Sequence, residues 1–96
     1  MNLTDVPYGD YYQIIYHLEK DNETRVYTNC NPHQNEKGKY YEITFQDMMN
    51  EIEEKEKCKI SSFTMLAESG LDGVVYRYNN CGKNEIIECG TTRGYA

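Results

Sequence analysis

The chain has 96 residues, of which 17 are Ile, Leu, Val or Phe, about 18 % and low enough to raise the question of disorder. Ten tyrosines answer it, because disordered chains are poor in aromatics and Tyr supplies half-buried surface. A chain this short holds one small core, which excludes large cofactor-binding folds, and sixteen acids against ten bases (net charge −6) oppose unaided binding to a phosphate backbone.

The segment before Asp10 and the segment after Cys89 carry no clear period, so 1–9 and 90–96 are expected to be loose ends of a single domain spanning 1–96. Residues 1–7 show neither a basic leader nor an apolar signal run, and no stretch reaches the ~20 apolar residues of a membrane span. Both features predict a cytoplasmic protein with no membrane contact and free thiols at Cys30, Cys58, Cys81 and Cys89.

From Tyr11 to Glu19 the residues Tyr12, Ile14, Tyr16 and Leu18 alternate with Gln13, Ile15, His17 and Glu19, the period of a strand with one buried face. Lys20 to Glu23 forms a turn and Thr24 to Thr28 is β-branched and aromatic, so 11–28 reads as an antiparallel hairpin. Residues 29–38 combine Asn, Pro and Gly and are expected to be a surface loop, followed by a short strand over 39–43.

Thr44 with Asp47 three residues on resembles a capping box, and Phe45, Met48, Met49 and Ile52 fall at i, i+3, i+4 and i+7. These spacings predict an amphipathic helix over about 45–57, supported by the Glu51/Lys55 and Glu53/Lys57 pairs. Lys59 to Ala67, Val74 to Tyr78 and Glu85 to Cys89 are apolar segments separated by turns at 69–73 and 79–84, a three-strand meander. The fold class is therefore α+β: an antiparallel sheet of about five strands, in the order β-β-(β)-α-β-β-β, with the helix on one face and the other face left for solvent or a partner. Tyr12, Tyr16, Tyr76 and Tyr78 are assigned to the core.

Catalytic signals are weak. His17 sits on a hairpin strand without motif context, Ser61, Ser62 and Ser69 have no triad context, and the Gly-containing run 89–94 lacks a phosphate-loop lysine. His33 follows Cys30 as Cys-x-x-His, half of a zinc pattern that Cys81 and Cys89 would have to complete. The ordinary reading of these thiols is small half-buried side chains, with no cofactor.

Charge and tyrosine remain. Glu19, Asp21 and Glu23 crowd the hairpin, and Asp47, Glu51, Glu53, Glu54 and Glu56 crowd the helix. Carboxylates on alternate strand residues or successive helix turns lie ~5–7 Å apart and can meet lysines and arginines arranged to grip a nucleic-acid backbone. Asp47, Glu51, Glu53, Glu54, Glu19, Asp21 and Glu23, with Tyr11 and Tyr27, form the predicted partner-binding set. In size, acidity, Tyr content and simple architecture the whole chain resembles the small anti-defence proteins of phages and mobile elements, the anti-CRISPR proteins among them.

The resemblance is one of character, not of a shared motif. It implies a non-enzymatic inhibitor that blocks a basic nucleic-acid-binding protein of a host defence system, such as a CRISPR effector, by phosphate mimicry in the host cytoplasm. A second reading is a homo-oligomer sequestering a nucleotide, with tyrosines stacking and Arg25, Arg77 or Arg93 on phosphate. A third is a zinc-stabilised interaction module built on Cys30, His33, Cys81 and Cys89.

Overall fold

A computed structural model describes residues 1–31, 33–34, 36–80 and 84–93, excepting the side chains of 33, 34, 92 and 93. The period-two pattern becomes β1 (Tyr11–Leu18), whose buried residues are Tyr12, Ile14, Tyr16 and Leu18. It pairs antiparallel with β2 (Arg25–Cys30), in a register running from Tyr11 opposite Cys30 to Tyr16 opposite Arg25. The expected loop at 29–38 contains a two-residue strand, β3 (His33–Gln34), paired with β4 (Tyr40–Tyr41). The strand expected over 39–43 is thus shorter and belongs to a separate ribbon rather than to the main sheet.

Helix α1 (Phe45–Glu56) starts at a complete capping box: the Asp47 amide donates to Thr44 Oγ1 at 3.1 Å, and the Thr44 amide donates to Asp47 Oδ2 at 3.0 Å. It stops one residue before the expected end because Lys57 adopts the left-handed conformation (φ 54°) and donates its amide to the Glu53 carbonyl. Phe45, Met48, Met49 and Ile52 are buried, as the spacing requires. Strands β5 (Ile60–Ser69), β6 (Asp72–Asn79) and β7 (Glu85–Arg93) form the meander. The β5–β6 turn is tighter than expected, since Ser69 still pairs with Asp72 and only Gly70 and Leu71 lie between them.

The sheet order is β2-β1-β5-β6-β7, and every neighbouring pair is antiparallel. Because β2 and β5 both run against β1, they run parallel to each other, and the ribbon and helix carry the chain across β1 between them. This crossover lays the apolar stripe of α1 on one sheet face, where burial removes it from water.

The four tyrosines expected in the core are there, and three of them, Tyr12, Tyr76 and Tyr78, bury the ring with the phenol oxygen hydrogen-bonded. Tyr12 donates to the Pro7 and Gly9 carbonyls (3.4 and 3.3 Å), Tyr78 donates to Asn84 Oδ1 (2.9 Å), and Tyr76 accepts from the Tyr8 amide (3.1 Å). Tyr76 meets Phe45 edge to face with centroids 5.1 Å apart, and Tyr78 stacks on Phe63 at 5.2 Å.

The ends are tied down. Leu3 and Asp5 carbonyls accept from the Gln46 and Phe45 amides at 2.8 and 3.1 Å, satisfying two of the donors that a helix leaves unpaired at its N-terminus. The Met1 amino group donates to the Ile86 carbonyl at 3.0 Å, Pro7 is buried, and Leu3 packs against the core. Segment 1–9 is therefore an integral flank of the helix, and residues 90–93 belong to β7 rather than to a tail. Residues 94–96 lie outside the described residues. Among the described residues no helix is long and apolar enough to cross a membrane.

Candidate acidic binding surface

With Phe45, Met48, Met49 and Ile52 turned inward, helical geometry turns Asp47, Glu51 and Glu54 outward, and all three are exposed. They sit at i, i+4 and i+7, so their backbone positions rise by about 6 and 4.5 Å along one stripe. Glu54 has no ion-pair or hydrogen-bond partner among the described residues, Glu51 Oε2 accepts a 3.5 Å bond from Asn29 Nδ2, and Asp47 also serves the capping box. Glu53 is different. Its side chain turns toward the end of the helix, where Oε2 accepts from the Ile60 amide at 2.8 Å and Oε1 lies 3.7 Å from Lys59 Nζ. It fastens the start of β5 and is unavailable to a partner in the way its neighbours are.

The two acidic clusters meet at one guanidinium. Arg25 pairs with both Asp21 carboxylate oxygens (2.8 and 3.0 Å), with Glu23 Oε2 at 3.3 Å and with Glu56 Oε2 at 2.9 Å. The fork-to-fork bonds from Arg25 pull the Asp21 carboxyl down to about 2, and the same three carboxylates raise the Arg25 pKa. Asp21 and Glu23, expected as partner contacts, are therefore ion-paired with Arg25 inside the hairpin, and Glu56 joins that cluster to the helix. Glu19 accepts from Asn80 Nδ2 at 2.9 Å. The hollow of about 400 Å³ at the helix C-terminus is lined by Glu53, Glu54, Lys57 and Lys59 together with Asn50 and Cys58, so charge there is mixed. Asp47, Glu51 and Glu54 thus form one row of exposed carboxylates with no ion pair among the described residues.

The tyrosines divide by strand parity. Tyr27 lies opposite Ile14 and so faces the helix side, half-buried against the core, with its hydroxyl accepting from Asn29 Nδ2 at 2.6 Å. Burial first, then the Glu51 carboxylate, raises its pKa. Tyr11 lies opposite Cys30 and Glu68 and faces the other side of the sheet, so Tyr11 and Tyr27 cannot belong to one flat contact. The residues missed from sequence are Tyr40 and Tyr41, 71 % and 48 % exposed, which immediately precede exposed Glu42 and the helix N-terminus. The sequence carried no clear signal for this, because the strand expected over 39–43 is only two residues long in the structure and buries neither ring.

The sheet order also decides the thiol question. Cys30 is on edge strand β2 and Cys89 on the opposite edge strand β7, four strand spacings or roughly 19 Å apart, so they cannot ligate one ion. Cys81 and the His33 side chain lie outside the described residues, and among those described no group of three or more His, Cys, Asp and Glu could hold a metal. Of the arginines suggested for phosphate, Arg25 is saturated by carboxylates, the Arg93 side chain lies outside the described residues, and Arg77 is exposed on the face away from the helix. His17 is on that face as well, held between Thr24 Oγ1 (3.2 Å) and Ser62 Oγ (3.5 Å).

Comparison of the chain with protein-family models, with curated proteins and with solved structures yields no match.

Proposed function

We propose that the chain is a non-enzymatic binding protein that blocks a basic nucleic-acid-binding protein, such as a CRISPR effector, by presenting carboxylates where that partner expects phosphates. The observation that carries this reading is the outward stripe Asp47, Glu51 and Glu54, fixed on a capped helix and flanked by exposed Glu42, Tyr40 and Tyr41. Three charges at a mean spacing of about 5 Å give roughly two-thirds of the charge density of a single nucleic-acid strand, one per 3.4 Å. Rigid tyrosines beside them offer contact area at low entropy cost, and charge complementarity speeds encounter. The Arg25 junction supports the same reading differently: it locks the hairpin to the helix, so the stripe is pre-organised before a partner arrives.

The test is capture of partners from a host lysate on immobilised chain, identification by mass spectrometry, and competition of the captured protein's nucleic-acid binding. The expected partner is basic, its nucleic acid and this chain exclude each other, and the double substitution Glu51→Lys with Glu54→Lys abolishes capture while the chain stays folded by circular dichroism. Capture that is indifferent to both the substitutions and high salt refutes phosphate mimicry.

A further inference from the structure

The sheet has a second face that neither the helix nor any other described element covers. Cross-strand register places Val26, Ile15, Thr64, Arg77 and Ile87 in one row across all five strands, with Leu66 and Val75 paired in the next row and Tyr11 beyond them. Val26, Ile15 and Ile87 are 56 %, 44 % and 55 % exposed, so three branched apolar side chains stand open to solvent in a single row. We infer that this open sheet face is a self-association surface on which a second copy of the chain packs face to face.

Area and charge both favour a copy as the occupant. Five strands at ~4.8 Å and eight β5–β6 pairs at ~3.3 Å give a footprint of about 600 Å² per copy, or about 1,200 Å² in all, the lower bound of a stable specific interface. The chain carries a net charge of −6, which by itself opposes self-association. That charge is segregated: of the strand residues on the open face only Glu68 and Glu85 are acidic, and Arg77 offsets one of them. In a face-to-face pair the acidic helices point outward on opposite sides of two molecular thicknesses of 22 Å each, well beyond a Debye length of ~8 Å. Two sheets then bury their exposed rows against each other, as β-sandwiches do with their inner faces. The pair would display two acidic stripes, yet the inference stands whether or not those stripes bind nucleic-acid-binding proteins.

Sedimentation equilibrium of the full chain in reductant, which removes any bridge through exposed Cys30, tests this. The expected result is twice the chain mass at micromolar concentration, unchanged by high salt. Ile15→Lys with Ile87→Lys is expected to weaken the pair by about 100-fold or more, leaving a folded monomer by circular dichroism. The milder Ile15→Thr with Val26→Thr keeps strand propensity and is expected to weaken it in the same direction, so a misfolded lysine variant does not decide the matter. As a control, Glu51→Lys with Glu54→Lys is expected to leave the mass unchanged. A monomeric native chain at high micromolar concentration overturns the inference. So does a dimer that survives both face variants, which would point to pairing of edge strands instead.

Discussion

Asn31 is the one polar residue buried among the described residues (8 % exposed), and its removal tests how the helix entry is held. Its Oδ1 accepts from the Ile43 amide at 2.9 Å, its Nδ2 reaches the Gly9 carbonyl at 3.5 Å, and its own amide donates to the Asp10 carbonyl. One residue thus ties the end of β2, the segment before β1 and the chain just before the Thr44 cap. Asn31→Ala leaves the backbone bond but strands the buried Ile43 amide. An unsatisfied buried donor costs ~1–3 kcal/mol and each lost side-chain bond about 1 kcal/mol, with the long Gly9 bond near the low end. The expected destabilisation is ~2–4 kcal/mol, which for a domain of this size lowers Tm by roughly 10–25 °C. Asn31→Leu restores the volume but supplies no acceptor, so it should be as destabilising as Ala. Urea and thermal denaturation followed by circular dichroism measure both. If either variant stays within about 0.5 kcal/mol of the native chain, polar pairing at Asn31 does not hold the helix entry.

Three further perturbations follow from the same geometry. Gly9→Ala places a Cβ 2.6 Å from the Glu68 carbonyl oxygen at a φ of +105°, so backbone strain and overpacking should together cost about 2–5 kcal/mol in denaturation midpoints; an unchanged midpoint would contradict the close approach. Burial raises the pKa of Tyr12, Tyr16, Tyr27, Tyr76 and Tyr78, so the folded state favours neutral phenols: stability is full below a pH of about 10 and falls as pH rises beyond it. Tyrosinate absorbance should then appear together with loss of near-ultraviolet dichroism, and complete ionisation with the fold intact would refute the burial of these rings. At the acid end the Asp21 carboxyl is lowered to about 2 by Arg25, so its contribution is full above the unfolded value of about 3.9 and is lost as pH falls toward about 2. Carboxyl titration by NMR should show that depressed midpoint, and Arg25→Gln should return it toward the ordinary range.

What the sequence by itself determined about this protein is what neighbours in the chain settle among themselves. Thr44 and Asp47 meet within one turn, Phe45 to Ile52 share one helical stripe, and β1 alternates; those local periods set the helix, the buried tyrosines and the outward Asp47–Glu51–Glu54 row. Spacing could not distinguish Glu53 from Glu54, because Glu53 finds its partner in the Ile60 amide beyond the helix. Nor could it separate Tyr11 from Tyr27, whose faces follow from the β1–β2 register, or foresee that Arg25 would absorb Asp21, Glu23 and Glu56. Only the tertiary structure placed β1 beside β5, sent Cys30 and Cys89 to opposite edges and drew segment 1–9 against the helix. Strand pairing joins residues far apart in the chain, where burial of a shared core outweighs local preference and no short-range pattern records the outcome.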